Sequence, residues 1–93
     1  MTSTPSVSVI VPTFKEAQSL PPLLDRLAGV REAIGDFEVI IVDDDSQDGT
    51  EDAVAAMELD WVRLIVRTED RGLSSAVLHG LREARGDVLI VMD

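Results

Sequence analysis

Short apolar runs alternate with amphipathic segments along the 93-residue chain. The runs are rich in β-branched residues and almost continuously apolar, which is typical of strands covered on both faces. Between them, apolar residues recur close to every 3.6 positions, as they do in amphipathic helices. The predicted strands cover residues 6–11, 37–42, 62–66 and 88–92, and the predicted helices cover roughly 19–33, 50–57 and 73–84.

Residues at the ends of the predicted helices support these bounds. Ser19 is a candidate N-cap for the first helix, and Asp48 with Glu51 has the spacing of a capping box at the second. The segment 72–75 (G-L-S-S) favours the start of the third helix, with a serine cap, over a phosphate-binding loop, and Gly86 predicts the end of that helix.

The β-α-β-α-β-α-β order predicts an α/β fold, a Rossmann-like parallel sheet with helices on both faces. Ligands of such sheets bind beyond the carboxyl ends of the strands. Polar residues follow three of the predicted strands, at 12–16, at 43–46 and at Asp93. We therefore expect a ligand site at that edge of the sheet.

Composition narrows the classes of function. The chain is 45% hydrophobic and has no cysteine, so it can build a core but has no thiolate metal site and no cysteine nucleophile. Its net charge of −10 argues against a nucleic-acid partner. Because Lys15 is its only lysine, the acidity also fits a protein adapted to high salt or an ordinary acidic domain. Without an apolar run long enough to span a membrane or a secretory leader, we expect a cytoplasmic location.

The residues after the first strand exclude two common phosphate-binding motifs. That loop reads P-T-F-K-E, so it is neither a G-x-G-x-x-G loop nor a Walker-A loop. A divalent metal held by carboxylates is the usual substitute for neutralising a diphosphate. Asp43 and Asp44 follow the second strand, where a carboxylate can accept hydrogen bonds from ribose hydroxyls or from a base N–H. The two acids repel each other unless a ligand or cation compensates, which favours a site, although acids there also form turns and cap helices. Glu16 could be a hydrogen-bond acceptor at the mouth of the sheet or a solvated residue before the first helix. Phe14 could be a flat platform under a base or a hydrophobic staple that packs onto that helix.

Other polar residues have weaker claims on function. Arg67 and Arg71 flank the loop before the third helix, where one could reach a phosphate or both could be ordinary surface arginines. His79 is expected to be a partly exposed helical residue without a role, and Trp61 is expected to pack at the start of the third strand.

Four stretches carry a recognisable set of motifs. They are V-S-V-I-V-P-T-F-K-E at 7–16, E-V-I-I-V-D-D-D-S-Q-D-G-T at 38–50, R-G-L-S-S-A-V-L-H-G at 71–80 and A-R-G-D-V-L-I-V-M-D at 84–93. Together they resemble the N-terminal half of a family 2 glycosyltransferase with the GT-A fold, and within it the dolichol-phosphate or polyprenol-phosphate mannosyltransferases. The likeness implies that residues 1–93 are the nucleotide-sugar-binding half of a longer domain, and that this chain alone does not catalyse transfer.

The resemblance also implies roles for individual residues. Pro12, Phe14 and Glu16 would line the pocket for the base and ribose of the nucleotide, and Val42 and Asp44 would contact the base. Asp93 would be the first acid of the D-x-D motif at the ribose, diphosphate and metal. The family usually has Tyr-Asn where this chain has Phe14-Lys15, so a phenol hydroxyl is lost while the stacking face is kept.

The implied reaction is inverting transfer of mannose from GDP-mannose to a polyprenol or dolichol phosphate, with Mg²⁺ or Mn²⁺ neutralising the leaving diphosphate. The parent protein would associate peripherally with the cytoplasmic face of a membrane. Two alternatives remain open, a family 2 transferase that uses UDP-glucose or UDP-GlcNAc and a non-catalytic module that binds nucleotide sugars. A receiver-like signalling domain is disfavoured because its acidic pair should follow the first strand.

Overall fold

Four strands and three helices alternate along the part of the chain that the computed structural model describes, residues 7–69 and 72–92. Their bounds lie within two residues of the predicted ones, which confirms the β-α alternation. The elements are β1 (Val7–Thr13), α1 (Leu20–Ile34), β2 (Glu38–Asp43), α2 (Thr50–Ala56), β3 (Val62–Val66), α3 (Leu73–Glu83) and β4 (Val88–Val91).

The strands form one parallel sheet in the order β3-β2-β1-β4. At the carboxyl end, Pro12 of β1 is level with Val42 of β2, and Thr13 is level with Asp43. On the other side of β1, Ile10 is level with Val91 of β4. The predicted α/β parallel sheet is confirmed, and the loops after β1 and β2 leave the sheet side by side.

The helices cover both faces of this sheet, as predicted. On one face Leu20, Leu24 and Leu27 of α1 pack against Val9 and Val11 of β1, with residues of β2 and α2 completing the cluster. The opposite face is smaller, and there Ala76 of α3 packs with Ile10, Ile40 and Val42. Because β2 is covered on both faces, its apolar run is completely buried, as its continuous hydrophobicity predicted.

The two outer strands differ from the inner pair. β3 is half-buried along its length, which confirms that Arg63 marks a strand near the edge. All four residues of β4 are exposed although they are apolar, with 44 to 54% of their surface accessible. No helix within the described segments is long and apolar enough to cross a membrane.

A buried carboxylate holds the start of β4 at the amino end of the sheet. Glu38 accepts hydrogen bonds from the Ser8 hydroxyl (2.5 Å), the Arg85 amide (2.7 Å) and Arg63 Nη2 (3.1 Å). Burial by itself raises the pKa of Glu38, but the hydrogen bonds from Ser8, Arg85 and Arg63 and the charge of Arg63 outweigh it and hold that pKa below its usual value. Gly86 donates its amide to Ser8 Oγ (2.8 Å), so the α3–β4 connection is tied to two strands.

The helix ends differ in detail from the predictions. Ser19 is the N-cap of α1 but makes no capping bond through its side chain. The predicted capping box is wrong, because Gly49 is the N-cap of α2 and Asp48 instead accepts from the amide (3.3 Å) and hydroxyl (2.5 Å) of Thr50. The Thr50 hydroxyl and other hydrogen bonds hold the pKa of Asp48 below its usual value.

The ends of α3 are also corrected. Gly72 is its N-cap, so no serine caps this helix. Gly86 does not end it either, because Ala84 already has extended backbone after the last helical residue. Gly86 is needed instead for close approach, since a Cβ there would lie 2.8 Å from the backbone nitrogen of Ser8. A side chain at this position would push the start of β4 away from β1.

Candidate functional site

The loops that follow β1 and β2 form one corner at the carboxyl edge of the sheet. Pro12 and Val42 are neighbours across the two strands and are both buried. The amide of Asp44 donates to the carbonyl of Thr13 (3.1 Å), which extends the pairing by one step. The structure therefore brings together Pro12, Val42 and Asp44, three of the residues predicted for the site.

Asp43 supports this corner from inside. Its side chain is buried, and it accepts hydrogen bonds from the Thr13 hydroxyl (2.7 Å) and from the amide (2.9 Å) and hydroxyl (2.7 Å) of Ser46. Ser46 Oγ in turn accepts from the amide of Lys15 (2.6 Å). Both carboxylate oxygens of Asp43 accept hydrogen bonds from the chain, so this residue joins the two loops. Of the two predicted alternatives, it has the turn-forming role.

The neighbouring acid, Asp44, is partnered by an arginine of the chain. Arg67 Nε and Nη2 both lie 2.9 Å from Asp44 Oδ1, and the Gly72 amide donates to Oδ2 (2.9 Å). Two adjacent carboxylates repel each other, and a ligand or a cation can offset that repulsion. Arg67 supplies that positive charge to Asp44. The sequence contained one usable signal for this pair, an arginine directly after an apolar strand at the edge where the acids lie.

Phe14 and its neighbours form the exposed side of the corner. Half of the surface of Phe14 is accessible, and Lys15 Nζ lies 5.3 Å from the centroid of its ring. The amide of Phe14 donates to Glu16 Oε1 (3.3 Å), and Lys15 has a φ of +55°, in the left-handed region. An exposed aromatic face beside a buried acidic corner is an arrangement that can stack a flat ring and hydrogen-bond its edge.

A solvent-open cleft of about 670 Å³ lies beside these residues. It is lined by residues 15–19, which precede α1, on one side and by 46–48 on the other. The amide of Ala17 donates to Asp48 (3.2 Å), so the two sides of the cleft are joined at its base. Glu16 is exposed and lines this cleft, and its role as a ligand acceptor stays a prediction.

The fourth strand runs beside β1 towards the same edge. The amide of Met92 donates to the carbonyl of Ile10 (2.9 Å), so the chain still follows β1 at the last described residue. Asp93, the predicted contact to ribose, diphosphate and metal, lies outside the described residues. Within 7–69 and 72–92, no group of three or more His, Cys, Asp or Glu side chains could hold a metal ion. The described residues therefore do not form a metal site by themselves.

The structure also shows where most of the other residues considered in the sequence lie. Arg67 is buried and ion-paired, so it is not an ordinary surface arginine, while Arg71 lies outside the described part of the chain. His79 is half-buried on α3, as expected. Trp61 packs edge-on against Phe37 directly before β3, with ring centroids 6.1 Å apart, which confirms its predicted place.

Comparison with known proteins gives concordant matches. The family profile described as glycosyl transferase family 2 matches residues 8–93. A dolichol-phosphate mannosyltransferase of Mycosarcoma maydis is 50% identical over 98% of this chain and 33% of its own length. One from Pyrococcus furiosus is 42% identical over 94% of this chain and 25% of its own length. The chain thus spans a third or less of these relatives.

A solved structure is similar over the same region. It is the mannosyltransferase PcManGT from Pyrobaculum calidifontis in complex with GDP-Man and Mn²⁺, with a TM-score of 0.70 and 37% sequence identity. The match covers 95% of this chain and 27% of that one. The fold of this chain thus has a counterpart in a protein whose solved structure contains GDP-Man and Mn²⁺.

Proposed function

The chain belongs to glycosyl transferase family 2, and on that premise we propose that residues 1–93 are the N-terminal, nucleotide-sugar-binding half of a glycosyltransferase domain. The proposed donor is GDP-mannose. In the longer protein, mannose would pass to a polyprenol or dolichol phosphate with inversion at the anomeric carbon.

One observation carries this proposal. The exposed ring of Phe14 lies in the loop after β1, and that loop is joined to the corner where Pro12, Val42 and Asp44 meet. A nucleobase presents a flat face and an edge with N–H groups, so it can stack on Phe14 while a carboxylate accepts from its edge. Stacking on an aromatic side chain contributes about 1–3 kcal/mol per base.

The comparisons support the choice of sugar and acceptor. Both relatives described above are named dolichol-phosphate mannosyltransferases, and the similar solved structure holds GDP-Man. A polyprenol or dolichol phosphate is confined to a membrane surface, so we further propose that the longer protein works at the cytoplasmic face of a membrane through peripheral contact. The lipid phosphate is already negatively charged, and it can attack the sugar without a strong general base.

A divalent metal is part of the proposal for the longer protein. The similar solved structure contains Mn²⁺, which supports Mg²⁺ or Mn²⁺ as the cofactor. Such an ion would neutralise charge on the leaving diphosphate. The described residues form no group of three or more metal ligands, so we propose Asp93 as the contact of the metal within this chain.

Calorimetry with nucleotide sugars tests donor binding. GDP-mannose, UDP-glucose and UDP-GlcNAc are titrated into the chain, each with and without Mn²⁺, and we expect GDP-mannose to bind most tightly. Binding that favours a UDP-sugar would support the alternative donor instead. If none of the three binds to a chain that circular dichroism shows to be folded, the proposed function is wrong.

Phe14→Ala sharpens this test, because it removes the stacking face and leaves the carboxylates in place. We expect its affinity for GDP-mannose to fall by about tenfold. Ile34→Ala is the matched control, since Ile34 is also an exposed apolar residue (71%) but ends α1, at the opposite edge of the sheet. An equal effect of the two substitutions would mean that Phe14 does not stack on the base.

A further inference from the structure

Arg67 is the most completely buried basic side chain in the described segments, with 5% of the side chain exposed. Its guanidinium donates to Asp44 Oδ1, to Ser75 Oγ (2.7 Å) and to the carbonyl of Gly72 (3.3 Å). Its backbone amide donates to the carbonyl of Asp43 (2.8 Å). One side chain therefore connects the end of β2, the end of β3 and the first turn of α3.

The hydrogen bonds to Asp44 leave little freedom to its carboxylate. A carboxylate has about four acceptor positions, two on each oxygen. Arg67 Nε and Nη2 occupy two positions on Oδ1, and the Gly72 amide occupies one on Oδ2. Among the described residues, one acceptor position on Oδ2 has no donor and is left for a ligand. Only 12% of the Asp44 side chain is exposed, so most of its surface is closed to a ligand.

We propose that Arg67 is a positioning residue for the nucleotide site, which orients the Asp44 carboxylate so that one acceptor position on Oδ2 is presented to the base. This inference rests on the proposed function and goes beyond it. Arg67 itself does not touch the base. It acts by holding Oδ1 while the Gly72 amide holds Oδ2, so that rotation of the carboxylate would break these contacts.

A second consequence concerns the start of α3. Gly72 contributes its amide to Asp44 and its carbonyl to Arg67, and that carbonyl also accepts from the amide of Ala76 (2.9 Å) in the first turn of the helix. The first turn of α3 is therefore fastened to the same ion pair as the base contact. A base that donates to Asp44 Oδ2 also restrains Gly72, and binding should slow amide exchange there.

The test compares Arg67→Met with Arg63→Met in the 93-residue chain. Arg63 is a matched control because it also pairs with a buried carboxylate, Glu38, but at the opposite end of the sheet (3.1 Å). Both substitutions should lower the midpoint of thermal unfolding. Only Arg67→Met should weaken GDP-mannose binding, by about tenfold or more, the scale of one charge-assisted hydrogen bond. Arg63→Met should keep the affinity within about twofold.

Two further variants separate positioning from general stability. Arg67→Lys keeps a positive charge without the planar fork, so it should recover part but not all of the lost affinity. In a double-mutant cycle, Asp44→Asn should cost much less affinity in the Arg67→Met background than in the unmodified chain, because both residues act through one contact. Additive losses would refute the proposed link.

Amide exchange provides a measurement that does not depend on nucleotide binding. Arg67→Met should speed exchange at Gly72 and Ala76, whereas Arg63→Met should not. If the unmodified chain binds GDP-mannose and Arg67→Met binds it equally well, the positioning role is wrong and the proposed function stands. If the unmodified chain binds no nucleotide sugar, the proposed function fails and the positioning role fails with it. Unchanged exchange in Arg67→Met would refute the link to α3 in either case.

Discussion

Replacing Glu38 by glutamine tests the buried network at the amino end of the sheet. The amide oxygen can still accept from the Ser8 hydroxyl and the Arg85 amide. The new NH₂ group would then face Arg63 Nη2, which lies 3.1 Å from the second carboxylate oxygen. The substitution therefore removes one ion pair and sets two donors against each other, while the shape of the side chain is kept.

The magnitude follows from how buried the two partners are. Breaking a fully buried pair costs about 3–5 kcal/mol, and a single hydrogen bond to a charged group contributes about 1.5–3 kcal/mol. The side chain of Glu38 is 9% exposed, but that of Arg63 is 32% exposed and also donates to the carbonyl of Glu83 (2.6 Å). We therefore expect a loss of about 2 kcal/mol at pH 7, or a fall of roughly 8–16 °C in the unfolding midpoint.

The pH dependence of the stability difference tests whether the charge of Glu38 causes it. The pKa of Glu38 is lowered in the folded chain, so the ionised group stabilises the fold above its unfolded pKa of about 4.3. That contribution is lost as the pH falls through the lower folded value. The difference between Glu38→Gln and the unmodified chain should therefore shrink as the pH drops below about 4.

Unfolding in guanidinium chloride, followed by tryptophan fluorescence, measures this difference. Trp61 is the only tryptophan, and it packs against Phe37, so its emission reports directly on the folded state. Glu32→Gln is the matched control, because Glu32 is exposed on α1 and undergoes the same chemical change. A stability difference that stays constant between pH 7 and the lowest pH at which the chain remains folded would refute the role of the Glu38 charge.

Three further predictions concern packing, the site corner and salt. Gly80→Ala should destabilise the chain by about 1–3 kcal/mol, because its Cβ would lie 2.5 Å from Ile10. Gly29→Ala, where a Cβ meets no atom within 4 Å, should instead stabilise the chain by about 0.5–1 kcal/mol. Chemical denaturation of both variants tests these opposite signs. Asp43→Ala should destabilise the chain by about 2–3 kcal/mol, since it leaves the buried hydroxyl of Thr13 without its acceptor, and it should also weaken GDP-mannose binding. Denaturation measures the first effect and calorimetry at the same temperature measures the second. If the net charge of −10 reflects adaptation to high salt, 2 M KCl should raise the unfolding midpoint, and a lower midpoint would contradict that expectation.

Much of the fold was predictable because its signals are local. The continuous apolar run of β2 and the 3.6-residue spacing in α3 placed those elements within two residues of their observed bounds. Their alternation then predicted a parallel sheet with both faces covered, and this in turn placed the loops after β1 and β2 at one edge. Helix caps were less predictable, because Gly49 and Gly72 took the positions expected for residues with side-chain acceptors.

The candidate site also has a part that the sequence predicts and a part that needs the tertiary structure. The chain order alone brought Pro12, Val42 and Asp44 to one corner, since parallel strands of similar length end together. It did not separate the roles of Asp43 and Asp44, which are adjacent and chemically identical. That separation depends on Thr13 and Arg67, residues distant in sequence, whose positions follow from strand pairing and from the packing of α3.

The sequence by itself therefore determined the elements, their parallel arrangement, the family and the edge of the sheet where a ligand should bind. The tertiary structure decided that Asp43 joins the two loops through Thr13 and Ser46 and that Asp44 pairs with Arg67, and it revealed Arg67 and Glu38 as charges that hold the two ends of the sheet. The physical reason is the distance along the chain over which each signal acts. Hydrophobic periodicity acts over a few residues along the chain, whereas a buried carboxylate takes its role from whichever donors folding brings within hydrogen-bond distance.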